Sequence, residues 1–129
     1  VATNESGLVR EIVRAVHERF PGSFGFKVHG GPFQVVGLPD LIFCIGGWFV
    51  GLEVKFQHPG ESVEGALSRT TALQWAQIGN IKRAGGVAAV VASVQEALDV
   101  ITSGLESRER RGATLPEVPD REGGGGVSA

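Results

Sequence analysis

The stretch "GLPDLIFCIGGWFVGLEVKFQ", Gly37 to Gln57, constrains the fold of this chain more than any other. Two apolar, β-prone runs meet at Gly46-Gly47, whose tolerance of positive φ suits a two-residue hairpin turn. Such a turn makes Ile45 face Trp48 and, further along the same register, Asp40 face Glu53. Partners in register share a face of the sheet, with Cβ atoms about 4.5–5.5 Å apart. Lys55, two residues beyond Glu53, points the same way. The opposite face carries Leu41, Phe43, Ile45, Trp48, Val50, Leu52 and Val54, all apolar, so it is predicted to pack against helices. The charged face also holds Ile42, Cys44 and Phe49, and is expected to be largely covered, with only its far end polar.

Around the hairpin, hydrophobic spacing supplies the other elements. Leu8, Val9, Ile12, Val13, Val16 and Phe20 recur at three- and four-residue intervals, which predicts an amphipathic helix capped near Asn4 and stopped before Pro21. "SFGFKVHG" reads as a short strand with Lys27 and His29 on one face and Phe26 and Val28 on the other. Thr71 and Gln74 form a capping box opening a helix that closes at Gly85-Gly86. "VAAVVA" reads as a strand buried on both faces, and Ser93 and Glu96 open a last helix ending near Gly104.

The expected architecture is a small α/β sandwich in the order α-β-β-β-α-β-α, with a mixed central sheet of about four strands flanked by helices. Its folded domain spans 1–104. Residues 105–129, charged and glycine-rich without apolar periodicity, read as a flexible tail. The segment Gln57 to Arg69 reads as a polar loop placed where loops are often functional.

Composition narrows the class. A chain of 129 residues with 42% hydrophobic and 20% charged residues suits one globular domain. A membrane span and a secretory leader are both absent from its pattern, so a cytoplasmic location is expected. Cys44, the single cysteine, excludes an internal disulfide and a cysteine zinc site, and is expected to be a small buried hydrophobe. A formal net charge of −2 argues against gripping nucleic acid by bulk positive charge. His17 and His58 have no partners at zinc-like spacing and read as surface residues.

Two opposed carboxylates in a partly covered site repel each other, so stability alone does not explain Asp40 and Glu53. A divalent cation removes the conflict, and paired hard oxygens suit magnesium. The competing explanation is an ion-pair cluster bridged by Lys55. Glu5 sits at the top of the first helix's apolar stripe, within reach of the same site, although an acid in a first turn is also favoured by the helix dipole. Gln74 shares a helical face with Ile78 and Ile81, which aims its amide inward while it also caps the helix.

Pro39-Asp40 followed after a hairpin by Glu53-Val54-Lys55 resembles the PD-(D/E)xK nuclease signature. "GLPDLI", "GLEVK", "TALQ" and "AGGVAAVVASVQEAL" resemble the VRR-NUC branch, in its short stand-alone phage and bacterial form, over residues from about Glu5 to Ile101. The resemblance implies metal-dependent hydrolysis of DNA phosphodiester bonds, structure-selective in the manner of a Holliday junction resolvase. By that analogy Asp40, Glu53, the Val54 carbonyl and Glu5 would hold Mg²⁺ or Mn²⁺. Lys55 would orient water and stabilise charge on the phosphate, and Gln74 would position Lys55 or a water. Lys27 and His29 are candidates for contacting DNA, branched DNA being the expected partner, and analogy alone suggests a homodimer. The alternative is a non-catalytic nucleic-acid-binding or assembly module that retains the nuclease fold. A phosphate-binding glycine loop is excluded, because Gly30-Gly31 is followed by proline and no Walker lysine is present.

Overall fold

A computed structural model of the chain describes residues 1–32 and 34–112. The part of the expected tail from 113 onward lies outside the described residues. The elements are α1 (Glu5–Arg19), β1 (Phe24–Lys27), β2 (Leu41–Ile45), β3 (Trp48–Val54), α2 (Val63–Leu67), α3 (Ala72–Arg83), β4 (Val87–Val91) and α4 (Val94–Arg110). They build the expected sandwich around one four-stranded mixed sheet of order β1-β2-β3-β4. β1, β2 and β3 pair antiparallel, and β4 joins β3 in parallel after the crossover through α2 and α3.

The hairpin has the register its turn demands. Gly46 and Gly47 adopt φ of 58° and 85°, and the pairs run from Ile45↔Trp48 to Leu41↔Leu52. One more step along this ladder brings Asp40, just ahead of β2, opposite Glu53. Leu41, Phe43, Val50, Leu52 and Val54 are fully buried with Ile12 and Val16 of α1 and Ile101 of α4, so the apolar face is the core face as expected. Arg108 of α4 lies 5.8 Å from the ring of the half-buried Trp48 at the rim.

The second face differs from expectation. α3 packs mainly against β3 and β4, which leaves much of β1 and the Cys44 end of β2 open on that side. Cys44 is therefore exposed rather than buried, and Phe49 is also exposed. Gly25 explains why β1 turns its aromatics outward. A Cβ at this position would stand 2.1 Å from Phe43 Cδ1 and 2.6 Å from the Ile42 carbonyl oxygen, so Phe43 occupies the space. Phe24 and Phe26 then project to the other face. Gly25→Ala is expected to destabilise the protein by about 1–3 kcal/mol through overpacking, read as a lower urea midpoint; an unchanged midpoint would contradict this packing.

Three further differences have local causes. α2 occupies the middle of the expected 57–69 loop, capped by Ser62 and anchored by buried Ala66. Arg69 closes the segment, binding Glu61 at 3.0 Å and the Phe56 carbonyl. The last helix does not end near Gly104 but runs on to Arg110. A Cβ at Gly104 would come within 2.8 Å of a Val87 methyl, so this glycine permits close helix-sheet packing and is no stop signal. Arg108 then ties the added turns to the Gly85 and Gly86 carbonyls. At the start of α4, Ser93 accepts from Glu96 N–H, while the Glu96 side chain accepts from Ala92 N–H, one residue before the cap. None of the described helices is long and apolar enough to cross a membrane.

Candidate active site

Asp40, Glu53, Lys55 and Gln74 meet at the end of the hairpin farthest from its turn, where α3 begins. Each arrives for a local reason. The hairpin register brings Asp40 beside Glu53, and alternation along the chain returns Lys55 to the same face as Glu53. Thr71 caps α3 in a complete capping box, which fixes Gln74 in the first turn. The i, i+4, i+7 spacing then turns Gln74 inward with buried Ile78 and half-buried Ile81.

The hydrogen bonds knit these groups tightly. Val54 N–H donates to Asp40 Oδ2 at 2.8 Å, locking that carboxylate to the backbone of β3. Lys55 Nζ lies 3.3 Å from Glu53 Oε2 and donates to Gln74 Oε1 at 3.2 Å. Gln74 Nε2 donates to the same Glu53 Oε2 at 3.0 Å. Gln74 Oε1 also accepts from Thr71 N–H at 2.9 Å, so one amide serves both the cap and the site. The N–H and C=O of a strand residue point to the same side of the strand, so the Val54 carbonyl turns toward Asp40 as its N–H does.

Glu53 carries the electrostatic tension. It is only 2% exposed, and its Oε1 is buried with no hydrogen-bond partner. Burial first, and the Asp40 carboxyl second, push its pKa from 4.5 up to about 8; Lys55 pulls the other way without offsetting them. Oε2 is already taken by Lys55 and Gln74. Oε1 is thus the oxygen left without a partner, and Asp40 is the neighbouring carboxylate whose charge it faces.

Glu5 is exposed at the start of α1, which packs on the core side of the sheet. No cluster of three His, Cys, Asp or Glu residues suited to a metal occurs among the described residues, so the acidic donors at the site are the pair Asp40 and Glu53. Lys27 pairs with Leu41 and therefore points to the core side of the sheet, the reverse of the face bearing Asp40. His29 is exposed beyond the end of β1. Lys82 and Arg83 stand at the far end of α3 from Gln74. His17 does more than decorate the surface: its Nδ1 lies 2.9 Å from Ser23 Oγ and its ring packs edge-on against Phe43.

Sequence reasoning missed the Val54 N–H as the group that fixes Asp40. The signal was available, since a hairpin that places Asp40 opposite Glu53 also sets it beside the next peptide group.

The residues present fit a divalent cation in one specific respect, the donorless buried Oε1 beside a second carboxylate. A cation there would take Glu53 Oε1, the free oxygen of Asp40 and the Val54 carbonyl as protein ligands.

The chain matches no family model and no curated protein. Among solved structures it shows a partial likeness to Hjc, a Holliday junction resolvase from the archaeal hyperthermophile Archaeoglobus fulgidus. That match has 19% sequence identity and a TM-score of 0.47, covering 68% of this chain and 67% of the other.

Proposed function

We propose that this protein is a Mg²⁺- or Mn²⁺-dependent nuclease of the PD-(D/E)xK type, a VRR-NUC relative that hydrolyses DNA phosphodiester bonds in the cytoplasm. One observation carries the reading: a fully buried glutamate with a donorless oxygen, set beside a second carboxylate and within 3.3 Å of a lysine. The Pro39-Asp40 and Glu53-Val54-Lys55 motifs supply the same residues in the same roles.

Within this reading a divalent ion, when bound, would supply Lewis-acid polarisation of the phosphate and a lowered pKa for the attacking water. The protein's own groups do the rest. Asp40 and Glu53 would hold the ion, and the Val54 N–H that donates to Asp40 would keep that carboxylate in place for it. Lys55, with a side chain 12% exposed, offsets negative charge gathering on the phosphate, a role suited to an ammonium held between Glu53 and Gln74. Gln74 fixes both the Lys55 ammonium and Glu53 Oε2, so it is a positioning residue. With no recognition helix or basic stripe at the site, selection by DNA shape is the natural mode, as in a resolvase acting on branched DNA.

The second reading, a non-catalytic module, is favoured by the bonds Lys55 and Gln74 already make to Glu53, which a purely structural cluster would also contain. Cleavage separates the two. Labelled four-way junction, flap, single-stranded and linear duplex DNA, incubated in Mg²⁺ or Mn²⁺, should be cut by the unmodified protein, with the junction preferred. Lys55→Ala should slow cutting by about 10²–10³-fold. Failure to cut any of the four would leave only the non-catalytic module.

A further inference from the structure

α3 differs from the other helices in the charges it carries. α1, α2 and α4 each have an acid in the first turn, Glu5, Glu64 and Glu96, where the helix dipole favours one. α3 has none there, and none anywhere along Ala72–Arg83. Trp75, the residue after Gln74, is 51% exposed, although an indole is among the largest apolar surfaces a side chain can present to water. One turn on, a Cβ at Gly79 would stand 3.3 Å from Arg83 Nη1, so the Arg83 guanidinium folds back over Gly79 toward Trp75. Lys82, two turns beyond Trp75, lies on the same stripe. It borders a pocket of about 160 Å³ that Arg108 and Arg111 of α4 also line, beside Trp48 and Gly85. None of Lys82, Arg83, Arg108 and Arg111 pairs with a carboxylate among the described residues. The dipole accounts for Lys82 and Arg83 closing α3, but not for the bare tryptophan or for the acid missing at its start.

We propose that the outer face of α3 is the path of a DNA strand leaving the active site, with Trp75 stacking on an unpaired base and the cations beyond it taking backbone phosphates. The path rests on the nuclease reading for its starting point, since Gln74, the neighbour of Trp75, donates to Glu53 Oε2. Charge selects the occupant. In a chain of net charge −2, one helix is kept free of carboxylates and unpaired cations gather at its far end, an arrangement that suits a polyanion. Continuity with the site selects nucleic acid over an acidic peptide, because the stripe begins one residue from Gln74. Stacking on an aromatic side chain needs an open base face, which the interior of a duplex does not offer. The nucleotide on Trp75 is therefore unpaired, as in a flap, a single strand or an open branch point.

Binding is measured on the full chain in chelator, where no metal-dependent cutting occurs, by anisotropy of labelled oligothymidylate and by the protein's own tryptophan emission. Oligothymidylate should bind and quench saturably, while a blunt duplex of the same length should quench little. Trp75→Ala should weaken oligothymidylate binding by about tenfold or more. Trp75→Phe should bind close to the parent and lose most of the quenching, since only Trp48 then emits. Lys82→Gln with Arg83→Gln should lower the slope of log affinity against log salt by about 1. All three positions, Trp75, Lys82 and Arg83, are exposed, so each variant should keep the parent's far-ultraviolet circular dichroism. Absence of quenching, or Trp75→Ala binding as tightly as the parent, would overturn the proposal. Quenching that grows with protein concentration alone would overturn it too, as the mark of a second copy on the stripe. The nuclease is read separately, by cutting of a flap in Mn²⁺. Trp75→Ala cutting with the parent's KM overturns the strand path and leaves the nuclease standing, whereas oligothymidylate binding without any cutting upholds the path and overturns the nuclease.

Discussion

Asp40→Asn is expected to lower metal-dependent DNA cleavage by about 10²–10³-fold or more while leaving the metal-free fold at least as stable as the parent. The substitution keeps an oxygen for the Val54 N–H that Asp40 now accepts at 2.8 Å, so the backbone bond survives. It removes the negative charge that Glu53 faces, the second largest cause of that residue's raised pKa. An anchored amide in place of a carboxylate thus separates the metal role from the structural one. Asp40→Ala confounds them, because it also strands the Val54 N–H at a cost of about 1–3 kcal/mol. The comparison is made by cleavage rates alongside thermal melts in chelator. A clear loss of metal-free stability in Asp40→Asn would show that the carboxylate pair is held for the fold.

The second large effect is a pH dependence that runs opposite to ordinary acid denaturation. Glu53 titrates near 4.5 when exposed and near 8 in the folded, metal-free protein, so the native state binds the proton more tightly than the unfolded chain does. Its contribution to stability is therefore complete below about 4.5 and is lost as pH rises through about 8. Chelated protein should show urea midpoints that decline across that window. Glu53→Gln, which is neutral at every pH, should remove the decline. A midpoint that climbs from pH 5 to pH 8 in the parent, with no difference in the variant, would mean Glu53 is ionised throughout.

Some of this was legible in the sequence and some was not, for identifiable reasons. The hairpin was legible because a two-glycine turn and strict alternation leave only one register, and that register carries Asp40 to Glu53. Gln74 was legible because the capping box and the i, i+4, i+7 spacing point to one orientation. Lys27 was not, because its face depends on how β1 pairs with β2, and the 13-residue connection between those strands imposes no register in the sequence. Exposure of Cys44 and Phe49 was hidden for a similar reason. Apolar alternation on both faces says that each can be covered, but which strands α3 covers is decided by the crossover from β3 to β4. Gly104 misled because a glycine that ends a helix and one that lets a helix approach a strand look alike in one sequence. α2, only five residues long, has too few turns to show a period.

The most direct test of the central claim is calorimetric titration of Mn²⁺ into the parent protein and into Glu53→Gln, with the melting temperature of each metal-free protein measured beforehand. A metal centre predicts saturable binding by the parent, none by the variant, and a variant at least as stable as the parent. An ion-paired structural cluster predicts no binding by either protein and a variant that melts earlier; that pair of results would contradict the account.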